Sequence, residues 1–388
     1  MATNHVSYNA TSHNVRQPKP LLNGSRSSSS SIPRTKVLLI GLRRSGKSSI
    51  QQVLFNNLPP KQSFYLEPTY RIMKYPIDTV VPLELWDTPG HATPESIGIP
   101  ITQFRSLIFV IDIRDLYNQP ITKLMEFVTA AVQANHKIHI EVFVHKSEKL
   151  QEDDKIENFR QIQERLTDRL LDLATEYEIQ PNFYLTSVYD HSLREAFSRV
   201  LHKLIDSLPF LEDMLNVFCA NSQSPKAFLF ETKSRLYIAT DASPVDSATH
   251  NLCCDYLEML NSFGTLYKSA SVSPSRHGTH PTAAEDPSLL SANSTSYSSP
   301  ITPTDVLPQA STKRTKEMFY PSAATSLHPS TPGTTLTYHG ITSSLALLAL
   351  VPTSVYEGRR GLLEYNVVFF REGVQEICDV EKETREGG

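Results

Sequence analysis

The sequence predicts an α/β protein: a mostly parallel sheet with helices on both faces, followed by a second, smaller α/β domain. Three observations carry this expectation. Residues 35–210 alternate short apolar, β-rich runs with helical stretches, the pattern of strands joined by crossover helices. The first run leads directly into Gly-Leu-Arg-Arg-Ser-Gly-Lys-Ser at 41–48, a glycine-rich turn opening a helix. Two polar tracts set these ordered blocks apart within 388 residues, a length that suits about two to three domains.

In the first block the expected strands are Lys36–Ile40, Pro82–Trp86, Leu107–Ile113, His139–His145 and Asn182–Thr186. Several are continuous apolar runs, as strands covered on both faces require. The clearest helix places Leu193, Ala196, Phe197, Val200, Leu201, Leu204, Ile205 and Leu208 on one face at i, i+3, i+4 spacing. Asp190 or Ser192 is suited to cap it. A second block covers residues 211–268 and resumes over 334–382. Ala227–Phe230 and Arg235–Thr240 read as paired strands, and Ser247–Phe263 as a helix. Ser344–Val351 follows as a strand and Leu363–Cys378 as an amphipathic segment. Neither half closes a core alone, so the two parts are expected to form one domain interrupted by a long loop. That loop, residues 269–333, is dense in Ser, Thr and Pro; residues 1–34 include an unbroken run from Ser27 to Ser31. Both tracts lack the apolar surface that would offset ordering entropy, so a disordered arm and a disordered insertion are expected.

Composition narrows the function classes. A formal net charge of −4 argues against a general nucleic-acid binder, whose domains carry a basic excess. Cys219, Cys253, Cys254 and Cys378 lack both disulfide-scaffold density and paired metal-ligand spacing, so reduced, packed thiols in a cytosolic protein are expected. The most apolar stretch, Leu345–Val351, is far short of the roughly 20 residues a spanning helix needs. The N-terminus has no apolar signal core. Ala2 stands where myristoylation needs glycine, and Glu386-Gly387-Gly388 offers no prenylation cysteine. Membrane association is therefore expected only through a protein partner.

The chemistry concentrates in short motifs. Gly41–Ser48 matches G-x-x-x-x-G-K-S, in which successive backbone N–H groups converge on phosphate and the following helix presents its positive dipole end. Arg43, Arg44, Ser45, Gly46, Lys47, Ser48 and Ser49 are the candidate phosphate contacts. Lys47 is suited to the β- and γ-phosphates, and the Ser48 hydroxyl to Mg²⁺. Asp87-Thr88-Pro89-Gly90 ends an apolar strand about 40 residues later, where Asp87 can hold Mg²⁺ through water and the Gly90 N–H can sense a γ-phosphate. Thr69 lies between the two motifs and is the candidate to complete the metal shell. Val144-His145-Lys146-Ser147-Glu148 occupies the place of the usual N-K-x-D base motif. There the acidic side chain accepts from guanine N1 and the 2-amino group, and the lysine stem lies along the ring. Ser187 and Val188 end the next strand, in the loop whose backbone meets the base.

Taken in order, these residues resemble the Rag GTPases, in particular the RagC/RagD branch called Gtr proteins in fungi. The resemblance rests on Gly-Leu-Arg-Arg-Ser-Gly-Lys-Ser-Ser-Ile (41–50), Trp-Asp-x-Pro-Gly (86–90), Phe-Val-His-Lys (143–146) and Phe-Tyr-Leu-Thr-Ser-Val-Tyr-Asp-His-Ser (183–192). Glu-Ala-Phe-Ser (195–198) adds to it. Lys-Ala-Phe-Leu-Phe (226–230) and Tyr-Ile-Ala-Thr-Asp-Ala-Ser-Pro-Val-Asp (237–246) extend it into the second block. It implies a P-loop small-GTPase domain followed by an α/β roadblock-type dimerisation domain, with GTP/GDP and Mg²⁺ as ligands. It also implies an obligate heterodimer with a RagA/RagB-type GTPase, served by activating and exchange regulators. Such a pair reports amino-acid sufficiency to the TOR kinase complex. It resides in the cytoplasm, peripheral at the vacuolar or lysosomal membrane through a membrane scaffold complex.

Two residues depart from the pattern. His91 stands where many GTPases carry the glutamine that orients attacking water, so either a weak catalytic role or none is open to it. Glu148 replaces aspartate, keeping the acceptor pair on a longer side chain. A slow GTPase switch is therefore the leading expectation and a pseudo-GTPase interaction subunit the alternative. A P-loop kinase or ATPase is disfavoured, because no acceptor-substrate lid is evident and the base motif is guanine-like.

Overall fold

A computed structural model describes residues 33–115, 118–134, 138–174, 180–266, 320–327 and 333–387. The expectations for most of 1–34 and 269–333 lie outside these residues. The first block contains β1 (Thr35–Ile40), α1 (Lys47–Phe55), β2 (Met73–Asp78), β3 (Pro82–Asp87), β4 (Phe104–Asp112) and α2 (Asn118–Ala134). It continues with β5 (His139–His145), α3 (Glu152–Ala174), β6 (Asn182–Thr186) and α4 (Ser192–His202). The strands form one sheet in the order β2-β3-β1-β4-β5-β6, parallel except for the β2–β3 pair. Alternate residues of β1 feed opposite faces. Val37 and Leu39 pack with residues of α1 and α4, whereas Leu38 and Ile40 pack with residues of α2 and α3. Helices therefore cover both faces, as the apolar runs require.

The second block begins with α5 (Leu208–Ser222), then β7 (Lys226–Glu231), β8 (Tyr237–Thr240) and α6 (Ser247–Leu266). It resumes with β9 (Ser322–Ser326), β10 (Thr334–Gly340), β11 (Leu345–Pro352), α7 (Thr353–Gly358) and α8 (Arg360–Gly387). These strands form an antiparallel sheet in the order β8-β7-β11-β10-β9, with α5 and α8 packed together. One hydrophobic core runs from Val37, Leu85 and Phe197 through Leu215 and Phe218 to Leu229, Leu347 and Phe370, joining the two sheets through α4 and α5.

The structure corrects the sequence reading at three places. Part of the expected disordered insertion, Ser322–Ser326, is a strand paired antiparallel to β10. Its small, exposed residues carry no apolar signature, and backbone pairing with its neighbour supplies what the side chains do not. The helix expected to run through Leu208 ends at His202. Leu204 and Ile205 stay buried in a tight turn in which the Lys203 and Leu204 N–H groups reach back three residues. Pro209 then opens α5, where its missing N–H has no cost. Edge strand β2 was not expected either: only Ile77 along it is buried, and Pro76 sits within it.

Candidate functional site

Gly41–Ser48, Asp87–Gly90, His145–Glu148 and Ser187–Val188 lie at the C-terminal ends of the parallel strands β1, β3, β5 and β6, where ligands bind in open α/β sheets, and Thr69 comes from the segment between α1 and β2. Residues 41–46 link β1 to α1, and the loop needs unusual backbone. Gly41, Arg44 and Gly46 have φ of 150°, 66° and 110°. A Cβ on Gly46 would stand 2.5 Å from the His145 ring, and one on Gly90 2.4 Å from the backbone nitrogen of Arg43. Glycine at these positions lets β3 and β5 close on the loop.

Within this cradle Lys47 is buried, and its ammonium donates to the carbonyls of Gly41 (2.8 Å) and Leu42 (2.9 Å). Burial lowers its pKa to about 8, against the attraction of Asp87. An anion in the cradle would favour the charged form. Ser48 Oγ donates to Asp87 Oδ2 at 2.6 Å and lies 2.6 Å from Thr69 Oγ1, which itself sits 3.1 Å from the same carboxylate oxygen. Asp87 is fully buried and its Oδ1 has no partner among the described residues. Burial raises its pKa despite the hydrogen bonds from Ser48 and Thr69 and the charge on Lys47. Two hydroxyls and one carboxylate, whose second oxygen is unpartnered among the described residues, form the hard-oxygen set that suits Mg²⁺, so these residues fit that ion. Arg43 and Arg44 are exposed, Ser45 is buried with its hydroxyl unpartnered among the described residues, and Ser49 is half-buried.

The base side is assembled from the ends of β4, β5 and β6. His145 is buried; its Nδ1 lies 2.9 Å from Thr186 Oγ1 and its Nε2 has no partner among the described residues. Burial pushes its pKa down to about 3, with Lys146 adding to the effect and Asp112 opposing it, so the ring is neutral. Lys146 takes a left-handed backbone (φ 65°) that swings its side chain across the site. Its ammonium donates to the Arg44 carbonyl and, at 2.7 Å, to Asp112 Oδ2. Glu148 accepts a hydrogen bond from Ser187 Oγ at 2.6 Å, and Ser187 in turn accepts from the Tyr189 N–H. Val188 points its side chain into the core, leaving its backbone for a ligand.

The structure thus brings together Lys47, Ser48, Thr69 and Asp87 on one side, and Lys146, Glu148 and Ser187 on the other. His91 is exposed just beyond Gly90 and has no hydrogen-bond partner among the described residues. Asp112 is the residue the sequence reading missed. The signal for it is a carboxylate ending the continuous apolar run of β4, at the same sheet end as Asp87.

Comparison with known proteins places relatives beside the chain. Residues 36–257 match the family model described as the Gtr1/RagA G protein conserved region. GTP-binding protein gtr2 of Schizosaccharomyces pombe is 42% identical over 240 residues, covering 61% of this chain and 76% of that protein. Ras-related GTP-binding protein C of Homo sapiens is 36% identical over 354 residues, covering 89% and 77%. GTP-binding protein GTR1 of Saccharomyces cerevisiae is more distant, at 25% identity over 237 residues, covering 57% and 74%.

Proposed function

The chain belongs to the Gtr1/RagA G-protein family, as a GTPase of the RagC/RagD type, and we propose that it is the guanine-nucleotide-binding switch subunit of a Rag-type heterodimer. The observation that carries this is the convergence of Ser48, Thr69 and Asp87 beside Lys47, facing a base loop with Glu148 anchored on Ser187. Lys47 would hold the β- and γ-phosphates of GTP, and Ser48, Thr69 and Asp87 would hold Mg²⁺. That ion, when bound, neutralises phosphate charge. Lys146 would line the base with its stem while Glu148 accepts from the guanine N–H groups. Thr69 belongs to the segment between α1 and β2, which exposes Phe64, Tyr65 and Tyr70. Its engagement with the γ-phosphate side would therefore change a surface that another protein can read.

Hydrolysis is slow in this reading and depends on an activating protein, because His91 is exposed with no hydrogen-bond partner among the described residues to orient it. The same observation favours the second reading, a pseudo-GTPase that holds nucleotide without turnover. Dimerisation with a RagA/RagB-type GTPase through the roadblock-type second block is supported by Leu252, Met259 and Phe263. These form an exposed apolar stripe on α6, beside edge strand β9. In this role the pair signals amino-acid sufficiency to the TOR kinase complex. It is held at the vacuolar or lysosomal membrane by a scaffold complex and served by exchange and activating regulators. The nucleotide assignment is tested by competition for bound fluorescent GDP. Displacement by GDP and GTP but not ATP, with release hastened by a Mg²⁺ chelator, is expected. Equal displacement by ATP would refute guanine selectivity.

A further inference from the structure

Asp112 ends β4 with its carboxylate nearly enclosed, yet three cationic donors reach it. Lys146 Nζ donates to Oδ2 at 2.7 Å. Arg114 donates from Nε to Oδ1 at 3.1 Å and from Nη2 to Oδ2 at 2.9 Å, and its backbone N–H adds a fourth bond at 3.1 Å. Burial opposes ionisation of this group, but the hydrogen bonds from Arg114 and Lys146 hold its carboxyl below the usual range. Arg114 comes from the same loop and is half exposed, so its fork mainly orients the carboxylate. Lys146 comes from the end of the neighbouring strand β5 and is tied at the same time to the Arg44 carbonyl of the phosphate loop.

This places one ammonium between the phosphate half of the site and the base half, with Asp112 as its only carboxylate partner among the described contacts. A lysine side chain has four rotatable carbons and loses considerable freedom when fixed. Without the carboxylate, the Arg44 carbonyl alone would hold the ammonium against the pull of solvent, and the lysine stem would leave the place where a ring can lie along it. Given the guanine-nucleotide binding proposed above, we propose that Asp112 is a positioning residue for the nucleotide. It fixes the ammonium of Lys146 against the Arg44 carbonyl, so that the lysine stem is preset as the surface on which the base rests. Asp112 itself touches neither base nor phosphate in this account; it acts through Lys146.

The test is a double-mutant cycle on the whole chain, reading dissociation of N-methylanthraniloyl-GDP in Mg²⁺. Asp112→Asn keeps the shape and removes the charge, and in the Lys146 background it is expected to speed dissociation about tenfold, the equivalent of about 1.4 kcal/mol. In a Lys146→Met background the same change is expected to have almost no further effect. Asp112→Glu, which keeps the charge, is expected to stay much nearer the unsubstituted rate than Asp112→Asn. Equal acceleration by Asp112→Asn in both backgrounds would mean that Asp112 serves only the fold, and would overturn the proposal; so would no acceleration at all. Melting curves identify a variant that fails to fold. If Asp112→Asn does, the cycle is run with Asp112→Ser, which also removes the charge and whose acceleration must likewise vanish in the Lys146→Met background or the proposal falls. Failure of the unsubstituted chain to bind labelled GDP would overturn the guanine-nucleotide reading itself, and the positioning role with it.

Discussion

Gly46 is constrained from two directions: its φ of 110° disfavours any side chain, and the ring of buried His145 occupies the space a Cβ would need. Gly46→Ala is therefore expected to cost about 2 kcal/mol or more of stability, because backbone strain and a clash with a fixed ring add. Urea unfolding of the variant checks this, and a loss within experimental error would show that the loop relaxes freely. Lys47 carries a different kind of demand. Its ammonium is held on two carbonyls in a buried cradle, ready for an anion rather than paired with one. Lys47→Ala should weaken GDP binding about 100-fold, the loss of a charge-assisted contact in a desolvated site. Equilibrium titration with labelled GDP measures it, and a change of less than about threefold would remove Lys47 from phosphate binding. Gly41–Ser48, Thr69 and Asp87 were legible in the sequence because their spacing from one another along the chain is itself the signal. Asp112 was not, since its meaning lies in a contact with Lys146, 34 residues away.

At the scale of elements, burial decided what could be foreseen. Strands β1, β4 and β5 are covered on both faces and appear as apolar runs, whereas β2 and β9 lie at sheet edges, β2 burying only Ile77 and β9 burying none of its residues. Edge strands owe their place to backbone pairing, and residue type records that poorly. The turn between α4 and α5 was hidden for another reason: Leu204 and Ile205 keep the helical apolar rhythm although the helix has ended. The junction between the two blocks also has a specific tie. The buried Tyr237 N–H of β8 donates to Ser198 Oγ of α4 at 3.0 Å. Ser198→Ala leaves that donor unsatisfied and should cost about 1–3 kcal/mol. Denaturant midpoints measure the loss, and a cost under about 0.5 kcal/mol would place the variant with ordinary surface changes and show that this bond does not hold the blocks together.

At the scale of the whole molecule, one core joins the parallel and antiparallel sheets, so a change in the nucleotide site has a packed route toward the second block. The molecule also keeps several histidines neutral by burying them. Burial lowers His145 to about 3, and His202, His250 and His339 to about 4, from an ordinary 6.5. Each folded pKa lies below its unfolded value, so the unfolded chain binds more protons as pH falls below 6.5. The stability these groups contribute is present above that pH and is lost as pH falls toward the folded values. At pH 5 each should subtract about 1–2 kcal/mol relative to neutral pH. Urea midpoints across this range are expected to fall steeply, with His145→Asn blunting part of the slope. A flat profile would mean that the rings charge while folded.

The family, the oxygen cluster around Asp87 and the anchored Glu148 converge on guanine nucleotide, and the nucleotide carried by the purified protein tests that directly. Chromatography of the ligand released on denaturation should show GDP or GTP in stoichiometric amount. Release of an adenine nucleotide, or of none from a chain that also fails to take up GDP in Mg²⁺, would contradict it.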